Sequence, residues 1–309
     1  MLVLLNPRAS YGRAADIWRR VAPALEERSP GFRVEEIGPG SDVAAAVGRG
    51  RENGERTFVA AGGDGTVNAV LNAIVGIDEG GAAGVTLGAI GMGSSNDFHK
   101  PFRPEALLAG VPVRIDAGRA RTTDVIRIDY EDPGGVPATR HALMNASLGV
   151  TAEANARFND PTAFIRTART VSVDGAIVAA VLTTVATFRD IVCRLSVDAG
   201  EAETIPVTNL GVIKSPHFGG SFCYDTPIEP DDGALGVNLC ERLTRFQVLT
   251  TLAALRKRRF RGRPKTRSWI CQSARVEADR VFALETDGEI VRARAAEFTV
   301  LPGKVRVAA

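Results

Sequence analysis

"AAGGDGTVNAVLNAI", Ala60 to Ile74, sets three glycines around one aspartate between an apolar run and an amphipathic one. The run Thr57 to Ala61 predicts a strand and Thr66 to Ile74 a helix, so the glycines form a strand-to-helix turn. A turn made of Gly62, Gly63 and Gly65 can take φ > 0 and lets a ligand approach the backbone N–H groups. Thr66 then opens a helix whose N-terminus favours an anion, which suits a phosphate. A plain tight turn with Asp64 as a helix cap uses the same residues and stays open at this point.

Outward from that turn the elements alternate. Strand Leu2 to Leu5, helix Arg13 to Arg28, strand Phe32 to Ile37, helix Asp42 to Asn53 and strand Thr86 to Ile90 complete an α/β pattern, which predicts a parallel sheet wrapped by helices up to about Gly118. Past Arg121 the texture changes to short β-rich runs such as "DVIRIDY", "IPVTNLGVI" and "LGVNLCE", expected to form an antiparallel β domain. Helical insertions are expected over Gly175 to Arg189 and Leu243 to Phe260. A second glycine-rich segment, "GAIGMGSSNDFHK", follows the strand ending at Ile90. Two such turns after neighbouring parallel strands lie at the carboxyl edge of one sheet and face one cleft, where α/β proteins bind ligands.

Composition narrows the classes. The 309 residues are 45% hydrophobic and 24% charged, the balance of a folded protein, and a net charge of +2 argues against nucleic acid as a partner. Cys193, Cys223, Cys240 and Cys271 lack metal-site or disulfide-scaffold spacing and are expected to be reduced thiols. "MLVLLNPR" reads as a buried strand without the basic flank of a signal peptide, and "AIVAAVLTTVATF" is short of the roughly 20 residues that span a bilayer. The expected location is cytoplasmic. His99, His141 and His217 have no Ser or Cys at suggestive spacing, so a hydrolase triad is not supported; His217 reads as a loop residue or a lining of the substrate entrance.

Asn6-Pro7 ending the first strand, "GGDGT" at Gly62 to Thr66, "GSSNDF" at Gly93 to Phe98, "DDG" at Asp231 to Gly233 and "DGE" at Asp287 to Glu289 match in order and spacing the diacylglycerol kinase catalytic-domain family of lipid kinases. The chain resembles that family over essentially its whole length. The resemblance implies an ATP-binding α/β domain of the phosphofructokinase and NAD-kinase kind over 1–118, and an antiparallel β-sandwich for the lipid over 119–296. It also implies a last strand over 297–309 placed to return to the N-terminal domain, with the active site in the cleft. ATP would be held by Asn6, Gly12, Gly62, Gly63, Asp64, Gly65, Thr66, Asn68, Gly93, Ser94 and Asn96. Ser94 stands where the family usually has Thr, and the family's Thr after the second strand has no counterpart in "EEIGPGSD", which leaves the adenine and ribose side least specified.

The acids are consistent with this resemblance. Phosphoryl transfer spreads negative charge, so carboxylates are useful mainly through a bridging cation, and Mg²⁺ suits Asp64 and Asp97. The family's third acid corresponds to Asp124 or to Asp116, with Asp124 favoured because "DVIRI" leads into a strand and then "NASLG". Some bacterial members hold a structural Mg²⁺ at positions matching Glu229, Asp232 and the Ala234 carbonyl, although "PDDG" also reads as a plain β-turn. Asp287 is the expected general base for the lipid hydroxyl and Glu289 the next in line, against the alternative that Asp-Gly is a type I′ hairpin turn.

In "RFQVLTTLAALRKRRFRGRPKTR", Phe246, Leu249, Leu252 and Leu255 fall at helical spacing and Arg256, Lys257, Arg258 and Arg259 follow. That arrangement suits an anionic membrane surface, although basic residues at a helix C-terminus are also ordinary. The expected activity is therefore an ATP- and Mg²⁺-dependent lipid kinase that acts on diacylglycerol or a related glycerolipid or sphingoid lipid and associates transiently with a membrane. A non-catalytic lipid-binding module and a kinase of a non-lipid acceptor, as in NAD kinases, are the alternatives. The sequence leaves open the lipid, the nucleotide and a homodimer.

Overall fold

The computed structural model describes residues 1–77, 84–101, 106–159 and 173–309. Strands β1 (Leu2–Leu5), β2 (Arg33–Glu36), β3 (Thr57–Gly62) and β4 (Thr86–Gly91) pair in parallel in the order β2-β1-β3-β4. Helices α1 (Arg13–Arg28), α2 (Val43–Glu52) and α3 (Asp64–Ile77) make the crossovers that parallel strands require. β1, β3 and β4 are buried because alternate residues feed two cores. Leu2, Leu4, Phe58 and Ala60 pack with Val47, Leu71 and Ile74, whereas Val3, Leu5, Val59 and Ala61 pack with Val21 and Leu25. This two-sided burial is why these strands read as unbroken apolar runs. β2, an edge strand, is mostly exposed and stops one residue short of Ile37.

The order places the first crossover on one side of β1 and β3 on the other. That reversal leaves a crevice beyond the carboxyl ends of β1 and β3, at Asn6 and Gly63.

A hairpin of β5 (Ala106–Leu108) and β6 (Val111–Arg114) adds antiparallel to β4. The remaining strands are β7 (Arg121–Glu131), β8 (Pro137–Ala142), β9 (Asn145–Gly149), β10 (Ile191–Val197), β11 (Glu203–Ile213), β12 (His217–Phe218), β13 (Phe222–Cys223), β14 (Leu235–Glu241), β15 (Thr266–Cys271), β16 (Ser273–Thr286) and β17 (Glu289–Val307). They pair antiparallel among themselves, around a core that includes Ile128, Leu148, Leu210, Val237, Leu284 and Phe298. Both expected architectures are present, the parallel α/β layer and the antiparallel β-sandwich.

The long β17 joins them. It pairs with β16 and β7, and its last residues, Arg306 and Val307, run parallel to Thr86 and Leu87 of β4. Helices α4 (Val150–Asn159), α5 (Val173–Thr187) and α6 (Arg245–Leu255) pack together through Val150, Val185 and Val248. α6 begins at a capping box between Thr244 and Gln247 and ends before the basic run, so it is shorter than the expected Leu243 to Phe260. No helix among the described residues is long and apolar enough to cross a membrane. The four cysteines are free and buried.

Candidate active site

The crevice opens into a cavity of about 1320 Å³ lined from both parts of the sheet. Its floor is the pair of glycine-rich turns, which touch each other backbone to backbone. A Cβ on Gly93 would lie 2.6 Å from Gly63 Cα, and one on Gly63 would lie 3.2 Å from Gly93 Cα. These glycines are therefore required by contact between the turns as well as by any ligand. Gly62 serves packing too, since a side chain there would collide with the Thr66 hydroxyl. Asn6 Nδ2 donates to that hydroxyl at 3.2 Å and so ties the end of β1 to the start of α3. Asn96, at φ 47°, accepts from Gly93 N at 2.9 Å and donates to Gly91 O at 3.2 Å, which fixes the second turn.

Asp64 does not cap its own helix. Its carboxylate accepts from the N–H groups of Asp97 (3.2 Å) and Phe98 (3.1 Å) in the other turn. Burial pushes the Asp64 carboxyl up to about 6, and neighbouring Asp97 adds to the shift against those two hydrogen bonds. Asp97 is itself buried; it pairs with Lys100 and accepts from Gly220 N at 3.0 Å, while Lys100 also reaches Gly220 O. The charge of Asp97 raises the proton affinity of Asp64, a repulsion that a divalent cation between the two carboxylates would relieve, so Asp64 and Asp97 fit Mg²⁺ in chemistry. Among the described residues no cluster of three or more His, Cys, Asp or Glu side chains could hold a metal ion.

The other expected metal ligands are occupied by an ammonium. Lys214, fully buried at the end of β11, pairs with Asp124 Oδ2 at 2.8 Å and with Asp232, and donates to Ala234 O at 2.8 Å. Asp124 also accepts from Gly233 N (2.7 Å) and Gly303 N (2.8 Å), and Glu229 contributes its backbone N–H to Asp232 at 2.8 Å. This corrects two expectations. The positive charge between Asp232 and the Ala234 carbonyl belongs to Lys214, and Asp124 is a member of that clamp and does not line the cavity with Asp64 and Asp97. Asp116 is no substitute, because it caps the turn Ala117–Arg119 and pairs with Arg119. Gly12 and Asn96 do not line the cavity either; Gly12, at φ 85°, is the left-handed entry to α1.

At the far side lie the acids of the β16–β17 turn, Glu285, Asp287 and Glu289, all lining the cavity. Asp287 takes φ 47° and is buried. Its carboxylate accepts from the N–H groups of Leu143 (2.8 Å), Met144 (3.0 Å) and Asn145 (2.9 Å), and from Asn68 Nδ2 (3.1 Å). Burial pushes its carboxyl up, against those hydrogen bonds. Asn68 thus connects α3 to the turn, and it also donates to His141 O at 2.8 Å. Glu289 is exposed and lies over Gly65, where a Cβ would come 2.6 Å from its Oε1.

Glu285 was not singled out in the sequence. It accepts from Ser147 Oγ at 2.9 Å and from Gly288 N at 2.5 Å, and burial pushes its carboxyl up to about 7. A signal was present: Glu285 stands at the end of the strand that leads into the Asp-Gly pair. Lys214 carried one too, as a lysine closing a run of buried strand residues.

The cavity wall between these ends is apolar where α4, α5 and α6 contribute Val150, Val181 and Leu252. The outer faces of α5 and α6 expose Leu182 (50%), Phe246 (75%) and Leu249 (40%), and Arg256, Lys257, Arg258 and Arg259 are exposed beyond the end of α6.

Residues 1–128 match the diacylglycerol kinase catalytic domain, and residues 145–309 match the YegS C-terminal NAD kinase beta sandwich-like domain. A relative named "Probable lipid kinase YegS" from Salmonella heidelberg (strain SL476) is 31% identical over 135 residues, which is 41% of each chain. The relative of the same name from Escherichia fergusonii is 33% identical over 139 residues, 42% of each chain. The matched segment thus spans well under half the length of these curated relatives. A solved structure of a candidate diacylglycerol kinase from Bacillus anthracis str. Sterne superposes with a TM-score of 0.72 at 18% identity, over 99% of this chain and 94% of that one. A diacylglycerol kinase structure from the same organism gives 0.65 at 15% identity, over 99% and 95%. At these identities the likeness is one of fold.

Proposed function

The chain belongs to the family built from a diacylglycerol kinase catalytic domain followed by a YegS C-terminal NAD kinase beta sandwich-like domain, and from that premise we propose that it is an ATP- and Mg²⁺-dependent kinase of a lipid hydroxyl. Diacylglycerol, or a related glycerolipid or sphingoid lipid, is the acceptor this reading favours. The observation that carries it is a single cavity with two unlike ends: contacting glycine turns beside Asp64 and Asp97, and an apolar wall under α4 to α6 beside the acids of the β16–β17 turn.

The roles follow from what each end offers. Backbone N–H groups of the Gly63 to Thr66 turn, at the start of α3, bind the polyphosphate, and Gly93 and Ser94 contact it from the second turn. Asp64 and Asp97 hold Mg²⁺, which when bound neutralises charge on the phosphates. Asn6, through Thr66, sets the position of the first turn against β1. Ser41, whose hydroxyl accepts from Gly38 N at 2.9 Å, lines the cavity after β2, where the family's Thr is missing. The apolar wall takes the acyl chains and excludes water from the transfer.

The exposed Leu182, Phe246 and Leu249, followed by four basic residues, give the outside of the same helices the character of a membrane-facing surface. In this reading the protein docks there transiently on anionic lipid and the acceptor enters beneath α5 and α6.

The test is transfer of label from γ-labelled ATP with Mg²⁺ to a panel of lipids in mixed micelles, resolved by thin-layer chromatography, with NAD as a parallel acceptor. A labelled lipid is the expected result. Label on NAD alone would move the protein to the non-lipid kinases, and ATP binding without transfer to anything would make it a binding module.

A further inference from the structure

We infer that Glu285 and Asn145 form a subsite for a second polar group of the acceptor, a hydroxyl or an amine on the carbon next to the reacting hydroxyl. The acceptor it selects is a lipid whose head carries two such donors, in preference to diacylglycerol. This deepens the phosphotransfer reading above and rests on it, and it leaves the proton of the reacting hydroxyl to the Asp287 to Glu289 turn.

Strand register brings the two residues to one face. β9 pairs with β11 through Asn145 opposite Ile213 and Ser147 opposite Gly211, and with β16 through Ser147 opposite Glu285. Positions two apart on a strand, and partners across a ladder, share a face. All five of these positions line the cavity. The β11 part of the face is apolar and is covered by Tyr224, since a Cβ on Gly211 would lie 2.8 Å from its Oη. The β9 and β16 part is polar. A lipid head laid on Asn145 and Glu285 therefore has its chain directed over Ile213 toward Leu252 of α6.

Both side chains have hydrogen-bonding capacity to spare. Asn145 is only 8% exposed, and its backbone N–H and C=O are both bonded to Asp287, yet among the described residues its side-chain amide makes no hydrogen bond. A buried amide of that kind carries a desolvation cost that a ligand removes. Glu285 Oε1 accepts from Gly288 N at 2.5 Å and Oε2 from Ser147 Oγ at 2.9 Å, one bond on each oxygen, so each retains an acceptor position. Ser147 is held in turn by Thr151, whose Oγ1 lies 3.2 Å from its Oγ. Because Gly288 belongs to the turn left to the reacting hydroxyl, a donor that reaches Glu285 lies beside that hydroxyl.

The chemistry of the head follows. An ionised carboxylate accepts and cannot donate. Diacylglycerol has one hydroxyl and two ester groups, so once the hydroxyl is at the turn it presents only acceptors and sets oxygen against oxygen at Glu285. A second hydroxyl or an amine supplies the missing donor, and the Asn145 amide, donor and acceptor at once, completes the contact with either. Burial raises the Glu285 carboxyl to about 7 against its bonds from Gly288 and Ser147, and the charges of Asp287 and Asp97 add to the shift. A protonated amine offsets those like charges as well as donating.

The experiment runs the full-length wild type, Glu285→Gln and Asn145→Ala in the labelled-ATP assay at about pH 8, where a carboxyl raised to about 7 is mostly ionised. The acceptors are diacylglycerol and two matched pairs of one chain length. One pair is monoacylglycerol and the propanediol ester that lacks its central hydroxyl; the other is a long-chain alcohol with an amine on the neighbouring carbon and the same alcohol without it. The wild type should favour the donor-bearing member of at least one pair, over its mate and over diacylglycerol, by about 10- to 10²-fold in kcat/KM, the effect of one hydrogen bond to a charged group. In Glu285→Gln and in Asn145→Ala that preference should fall to about threefold or less. Preference in the amine pair identifies a charged head as the ligand, and preference in the glycerol pair a neutral one. A wild type within about threefold in both pairs, or one that favours diacylglycerol, overturns the subsite and leaves the kinase intact. A Glu285→Gln enzyme that slows both members alike and keeps the preference also overturns it, and Asn145→Ala supplies the same test if Glu285→Gln does not fold. A wild type that labels no lipid overturns the kinase reading, and the subsite falls with it.

Discussion

Replacing Lys214 by methionine keeps most of the side-chain volume and removes the charge, which leaves Asp124 and Asp232 facing each other across the Ala234 carbonyl. Lys214 is fully buried and Asp124 nearly so, and removing one partner of a buried ion pair costs about 3–5 kcal/mol. The entropy of unfolding is about 2.1 cal/mol/K per residue, hence about 0.65 kcal/mol/K for a chain of 309 residues. The loss therefore corresponds to a fall of about 5–8 °C in Tm. Burial works against the Asp232 charge, yet Lys214 and the N–H groups of Glu229 and Ala234 hold its carboxyl below the ordinary range. A depressed carboxyl stabilises above its unfolded value, about 4, and the contribution is lost as pH falls through the folded one, so the difference between wild type and Lys214→Met should be complete at pH 7 and shrink below pH 4. Differential scanning calorimetry measures both. A Lys214→Met protein within about 1 °C of the wild type at pH 7 would refute the clamp.

At Gly93→Ala the new methyl meets Gly63 Cα at 2.6 Å, a backbone atom that cannot swing aside, so the turns must separate. Overpacking of this kind costs about 1–3 kcal/mol, and calorimetric titration should show ATP binding weakened by tenfold or more; unchanged affinity would mean that the turns do not hold the nucleotide. The Asp64 carboxyl, raised to about 6, favours the protonated form in the folded protein, so its stabilisation is complete below the ordinary carboxyl range and is lost as pH rises through about 6. Asp64→Asn should therefore melt above the wild type at pH 8 and level with it at pH 4, while its nucleotide affinity loses its dependence on Mg²⁺; a retained dependence would count against Asp64 as a ligand. Neutralising Arg256, Lys257, Arg258 and Arg259 together to Gln removes about 1 kcal/mol per residue at an anionic surface, so sedimentation with anionic vesicles should weaken by about 10²- to 10³-fold. Equal sedimentation of this variant would remove the membrane role of the basic run.

What the sequence revealed and what it concealed divide by range. The turn at Gly62 to Thr66 was legible because glycines after a strand have few other uses. The reason for Gly63 and Gly93 was not, since it depends on β3 and β4 being neighbours. Asp287 stood out through its Asp-Gly pair, but its four hydrogen bonds come from Asn68 and from residues 143–145, far away in the chain. Lys214 finds Asp124 ninety positions earlier, and no local pattern announces such a pairing. The end of α6 was misjudged because apolar spacing continues to Phe260, whereas Arg258 adopts φ 54° and the chain turns out of the helix.

The same long-range contacts bear on how the cavity can be entered. Asp287 precedes β17 and fastens it to α3; Gly303, near the far end of that strand, donates to Asp124 and so joins the Lys214 clamp; Val307 then pairs with β4. One continuous strand, pinned at three points, thus crosses from the sandwich to the parallel layer. Hinged separation of the two parts would break these buried bonds together, and each carries the desolvation cost of leaving a charged or backbone group unpaired. α4 is tied to the sheet through Thr151 to Asn209 and Glu153 to Arg292 and Ala283 N, and α6 packs Leu255 against Ile213 and Cys240, whereas α5 meets its neighbours through Val181 and Val185. Local opening costs least where few buried contacts must be lost. Among the described residues α5, which carries Val181 inside and Leu182 outside, is therefore the part of that wall most easily displaced.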